Sequence, residues 1–186
     1  MKFDRETSVA SLVLMSLLAI GLLVSAVVVR ERRLALSEAR DAVRSIETDR
    51  RELEFVLTAQ SAANRLDAGL RRGHDLLARH GLAPDPASER LRRLDLLPDG
   101  EREKALSDLE QLLYLTASGH VLKGGLTSTE NRRAEFELAS ELIARLDSLR
   151  SNGPTSRGVL LLQAEIARGR GEVEEARRLE RLASET

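Results

Sequence analysis

The chain has 186 residues, 29 of them basic and 30 acidic, for a formal net charge of −1. That balance provides no whole-chain basic field for nucleic acid, and an aromatic content of 2 % removes the stacking platforms used by single-strand binders. With no cysteine, disulfides and thiolate metal sites are excluded and either redox compartment is permitted.

After a short tail (residues 1–8), residues 9–29 form an apolar run without a single charge. A helix of these 21 residues rises about 31 Å, close to the ~30 Å hydrocarbon thickness, and satisfies its own backbone groups while crossing. The expected element is a transmembrane anchor carrying Val9, Leu12, Leu14, Leu18, Gly21, Leu23 and Val29. Val24-Ser25-Ala26 has the form of a signal-peptide cleavage site. The apolar run nevertheless continues through Val29, and Lys2 and Arg5 are offset by Asp4 and Glu6, which favours an uncleaved anchor. Gly21 and Ser25 make one small-xxx-small pair of the kind that lets membrane helices approach. Arg30, Arg32, Arg33, Arg40 and Arg44 after the span outnumber Lys2 and Arg5 before it, which tilts the body towards the cytoplasm of a single-pass bacterial inner-membrane protein.

Residues 30–82 read as one long amphipathic helix continuing out of the membrane. Leu36, Ala39, Val43, Ile46, Leu53 and Leu57 alternate three and four apart, a heptad seam broken by Arg50. Ala59, Ala63, Leu66, Leu70 and Leu77 extend the stripe with smaller residues. The seam packs either on later helices of the same chain or, in its juxtamembrane part, on a second copy. Gly81 ends this helix, and Pro84-Asp85-Pro86 forbids its continuation.

A helical bundle is expected over residues 83–153. It opens with a short helix at residues 87–97 and breaks at Pro98-Asp99-Gly100. Leu106, Leu109, Leu112, Leu113 and Val121 then line a helix to about Lys123, stopped by Gly124-Gly125. Thr127 with Glu130 has the form of a capping box for a helix carrying Phe136, Leu138, Ala139, Leu142, Ile143, Leu146 and Leu149, and Asn152-Gly153-Pro154 turns the chain. No segment alternates with a two-residue period, so the fold class is all-α with no sheet.

Residues 154–186 have the spacing of a tetratricopeptide-repeat hairpin at Leu160, Ala164, Ala167, Gly171, Ala176 and Ala183. The small residues let two antiparallel helices approach closely, and Gly171 occupies the tight turn between them. The last helix has an apolar face and a polar back, as at the end of an array. Thirty-four residues before Ala176 stands Leu142, so the earlier helices fit the repeat poorly.

One family resemblance covers residues 30–186. It rests on Arg-Arg-Gly-His-Asp-Leu-Leu-Ala-Arg-His-Gly-Leu at 71–82, Asp85-Pro86, Leu-Pro-Asp-Gly-Glu-Arg at 97–102 and Glu-Gln-Leu-Leu-Tyr-Leu-Thr-Ala at 110–117. These resemble the region after the membrane span in bacterial serine/threonine protein kinases that carry tetratricopeptide repeats. Those proteins have an Arg-Tyr-Gly-Val stretch, a proline-bounded short helix, Leu-Pro-Pro and a Leu-rich helix. Here His80 replaces an aromatic and Asp99 the second proline. The chain lacks the Gly-rich loop, the His-Arg-Asp loop and Asp-Phe-Gly, so kinase activity is not carried over. The resemblance implies a membrane-anchored interaction module, and its layout would put the helical body outside, against the arginine count.

No catalytic, cofactor or metal site is predicted. His74 and His80 lie on nearly opposite faces of one helix, and His120, near a helix end, reads as a cap or a solvent-facing side chain. The acid pairs Glu174-Glu175 and Glu101 with Glu103 read as solvating charges. The function expected is a scaffold or adaptor on the bilayer that binds a protein partner, with neither nucleic acid nor a small-molecule substrate. The alternatives are a homodimeric coiled-coil protein of signalling or division type and, least favoured, an enzyme of unrecognised kind.

Overall fold

The computed structural model describes residues 3–58, 63–82, 89–150 and 155–186, with first-helix side chains at Met15, Leu18 and from Ile20 onward. The helices are α1 (Phe3–Thr58), α2 (Ala63–Arg79), α3 (Glu89–Arg93) running into a 3-10 turn (Leu94–Leu96), α4 (Asp99–Leu126), α5 (Thr129–Leu149), α6 (Arg157–Arg170) and α7 (Val173–Glu185). Among the described residues there is no strand, as the absence of two-residue alternation predicts.

The long helix expected over residues 30–82 is two helices. α1 ends at Thr58, and α2 lies antiparallel to its last turns, with Arg72 on Glu52 and, further back, Arg79 and His80 on Asp49. A three-and-four periodicity is the same whether a helix continues or folds back on itself, and neither proline nor glycine marks residues 59–62. The same parallel and antiparallel order recurs. Arg40 meets Glu101, Lys104 meets Glu47 and Arg50 meets Asp108, so α4 runs parallel to α1. Arg150 meets Glu110, so α5 returns antiparallel to α4, and Arg168 meets Glu180 across α6 and α7. The body is therefore three successive hairpins, α1–α2, α4–α5 and α6–α7. The first helix of each later hairpin packs on both helices of the one before.

The heptad seam of α1 is covered by the chain itself. Ala39, Ile46 and Leu53 are buried, and Leu36, Val43 and Leu57 pack against the same core as Leu109, Leu112 and Leu113 of α4. Arg50 breaks the seam because its Nε lies 2.9 Å from the buried Asp108 of α4, while its Nη1 donates to Glu54 at 3.0 Å. α4 is buried nearly all round, through Ala105, Leu109, Leu112, Leu113, Ala117 and His120, since α1, α2, α5 and α6 all touch it. Each fully buried leucine contributes about 1.5–3 kcal/mol.

Three helix ends differ from expectation. α4 runs through Gly124-Gly125 to Leu126, because the Phe136 ring of α5 lies where a side chain on Gly124 would be, so that glycine serves packing. The capping box is not formed at Thr127. The N-cap of α5 is Ser128, without a side-chain hydrogen bond, and the Thr127 hydroxyl donates back to the Gly124 carbonyl. The short helix expected at 87–97 is the five residues of α3 plus the 3-10 turn. Pro84-Asp85-Pro86 and Asn152-Gly153-Pro154 lie outside the described residues.

Gly81 does end α2. It sits at φ 79, and Leu82 N–H donates to Leu77 O at 2.8 Å. Gly171 closes α6 in the same way at φ 87, with Glu172 N–H on Ala167 O at 2.8 Å, a left-handed closure that disfavours any Cβ. Among the described residues no helix is long and apolar enough to cross a membrane, the described side chains of the apolar run being continuous only over residues 20–29.

Gly171→Ala should lower stability by about 1 kcal/mol through left-handed strain. Gly125→Ala, a helical position with open space around it, should raise it by roughly 0.5 kcal/mol. Urea unfolding of both variants checks the pair, and only the opposite signs agree with this geometry.

Candidate functional site

The residues singled out from sequence fall in two places. Of the apolar run, Val9, Leu12 and Leu14 have side chains outside the described set. Leu18, Leu23 and Val29 are exposed along α1, and a Cβ on Gly21 would meet nothing. At the other end Leu160, Ala164, Ala167, Ala176 and Ala183 are all buried around Gly171, so small side chains fill the α6–α7 contact.

Because α4 and α6 both open hairpins, they run parallel with a valley between them and α5 beneath. Ser107, Gln111, Tyr114, Leu122 and Gly125 lie on one stripe of α4, and Gly158, Glu165 and Gly169 face them from α6. The valley widens into two grooves. One, of about 380 Å³, sets Ser107, Gln111, Tyr114 and the Glu110–Arg150 ion pair at 2.7 Å beside the apolar Leu146 and Val159. The other, of about 600 Å³, is walled by Val121, Leu122, Leu126 and Phe136 with Arg132, Glu165 and Arg168 at its rim. Leu122 and Leu126 are 54 % and 67 % exposed, a cost to a free surface that a covering partner would relieve. A Cβ on Gly169 would collide with the Phe136 ring, so this glycine lets the ring form the floor.

Sequence spacing gave no sign of a second feature, a chain of polar groups linking α2, α4 and α5. His74 Nε2 lies 2.8 Å from His120 Nε2, His120 Nδ1 lies 2.6 Å from Glu135 Oε2, Glu135 Oε1 takes Lys123 Nζ at 2.8 Å, and Lys123 reaches Asp67 at 2.9 Å. His120 is buried, at 4 % exposure, and is neither a cap nor solvent-facing as expected. It occupies the interior stripe of α4 with Leu109, Leu113 and Ala117, where a helix-end position was read in its place. Glu135 likewise sits on the inner face of α5 one turn before Ala139, and a charged group at such a position was the available signal.

Burial alone would raise the Glu135 carboxyl. Hydrogen bonds from Lys123 and His120, and their charges, outweigh it and hold the group below the usual carboxylate range. Hydrogen bonds to Glu135 and then Asp67 hold the Lys123 ammonium above its ordinary value. His120 Nδ1–H therefore donates to an ionised acceptor. A second polar knot joins α2 to α1, where the buried Asp49 meets His80 Nε2 at 2.8 Å and Arg79 at 3.2 Å. Among the described residues no group of three or more His, Asp or Glu side chains is placed to hold a metal ion. The His74–His120–Glu135 line joins three helices, α2, α4 and α5.

Glu135→Ala should cost about 1–3 kcal/mol at neutral pH, because it orphans a buried imidazole N–H. Lys123→Met should cost less, since that ammonium is 30 % exposed. Denaturant unfolding of both variants tests the order. No family model, curated protein or solved structure matches this chain.

Proposed function

We propose that this chain is a membrane-anchored helical scaffold that presents the α4–α6 valley to a protein partner. The observation that carries the reading is the valley itself, an exposed leucine-walled groove held between parallel helices of a stacked-hairpin body. A near-neutral, aromatic-poor composition supports a protein partner over nucleic acid. The buried small residues around Gly171 agree with a tetratricopeptide-like final hairpin, and the kinase resemblance supports a place in bacterial signalling.

The anchor rests on the charge-free run over residues 9–29, through which α1 is continuous, and on the exposure of Leu18 and of residues 20–29, for which the bilayer is the natural cover. The arginine excess after the run supports a cytoplasmic body in a single-pass inner-membrane protein. Since Ala39, Ile46 and Leu53 are turned inward, a coiled-coil dimer through that seam would require α4 to leave it.

Two measurements test the proposal. Full-length protein should stay in the membrane pellet through alkaline carbonate and be released by detergent, and recovery in the aqueous supernatant would refute the anchor. A photo-crosslinking residue at Leu122 or Leu126 should give one discrete adduct in cells, whereas the same residue at Arg177, on the exposed back of α7, should give none. Equal labelling at both sites would refute the groove.

A further inference from the structure

The His74–His120 contact has a geometry that limits how many protons it can hold. The ring centroids are 5.1 Å apart, which is the 2.8 Å Nε2–Nε2 separation plus one ring radius at either end, so the two nitrogens face each other head-on. One proton between them makes a hydrogen bond. It belongs to His74 when His120 is neutral, because His120 Nδ1–H is committed to Glu135, and to His120 when that ring is cationic. Once one of the rings is cationic, a further proton would set two N–H groups against each other at bonding distance, with two positive rings in contact. At 2.8 Å the two nitrogens also stand too close to hold a metal ion between them, since two bonds of about 2.0 Å at a tetrahedral angle would separate them by roughly 3.3 Å.

We propose that this pair is a proton-operated latch: acidification through the imidazole range releases the first part of α2 from α4 while its far end stays pinned to α1. The charges around the pair agree. On α2, Asp75 acts on His74, with Arg71 and Asp67 on the preceding turns; α4 supplies His120, and Lys123, which reaches Asp67 and Glu135; α5 supplies Glu135 and Arg145; and α1 presents the apolar Leu57 beside Gly119. Burial, the His120 charge and Arg145 lower the affinity of His74 for a proton in the closed state, whereas an opened His74 is an ordinary imidazole. The open state therefore binds more protons. Closure is at full strength above about pH 6.5 and weakens as the pH falls below it. Glu135 and Asp67 are both held below the carboxylate range, so they keep their charge throughout that window. At the other end of α2, His80 faces the carboxylate of Asp49, a contact that a protonated imidazole keeps. Opening would uncover Leu66 and Leu70, which are now 6 % and 4 % exposed.

Amide hydrogen exchange of the full-length chain in detergent micelles, compared at pH 7.5 and 5.5 after correction for intrinsic rates, tests the latch. Protection over residues 67–74 should fall up to about tenfold, the limit for one extra proton over one pH unit, with residues 157–185 unchanged. His74→Gln, whose amide can either donate to His120 or accept from it, should abolish the difference. An unchanged wild type, the same fall in His74→Gln, or loss of protection along the whole body would overturn the proposal. So would protection of residues 67–74 by zinc chloride at pH 7.5, which would make the pair a metal site.

Discussion

The body depends on the burial of one helix. α4 is the single element that meets α1, α2, α5 and α6, and its leucines at 109, 112 and 113 have no exposure at all. This helix keeps solvent contact at its two ends and along the narrow stripe of Ser107 and Gln111, and the rest of its circumference has no solvent on which to place charge. The few polar groups on its inner surface must then be matched from neighbouring helices, since an unpaired one costs about 1–3 kcal/mol. Asp108 pairs through Oδ1 with the charge of Arg50 of α1, its Oδ2 being left without a hydrogen bond, and His120 is met by Glu135 of α5. Thr116, with no such partner, donates its hydroxyl to the carbonyl of Leu112 in its own helix. These matched groups fix which face of α4 each neighbour covers, a specificity that leucine contacts alone would leave loose.

The same constraint explains the hairpin order. Each new hairpin adds its first helix to a valley already formed by the two helices before it, so parallel first helices accumulate on one side. The outermost helix, α7, buries only Ala176 and Ala183 and turns its arginines and glutamates outward, which closes the series with a soluble back. The polar and the open features then separate by side. The polar chain lies where α2, α4 and α5 meet, and the open groove lies where α4 and α6 run alongside one another.

Much of this order was legible in the chain, and what was not has a common physical cause. The all-α class, the closures at Gly81 and Gly171 and the small residues of the last hairpin were readable because each is a local rule of period, handedness or size. The fold-back of α2 was not, because a continued helix and a returning one show the same stripe. Gly124 was misread as a stop because its reason lies in Phe136, twelve residues away in sequence and across a helix contact. The His74–His120 meeting joins residues 46 apart that carry no shared motif, so only the helix packing brings them together. The valley between α4 and α6 was not legible either, because its walls at Leu122 and Glu165 stand about forty residues apart and only the packing sets them side by side.

α1 is a single helix from Phe3 to Thr58, and its inward face is engaged by the body from Leu36 onward. Between Val29 and Leu36 lie only six residues of unbroken helix, about 10 Å of rise with no hinge. An ordinary tether would let the hairpins tumble and sample every direction. In the anchored reading proposed above, a stiff mast does the opposite: it would set both the height of the valley and its compass bearing, and a twist applied near the amino terminus would reach the first hairpin without slack.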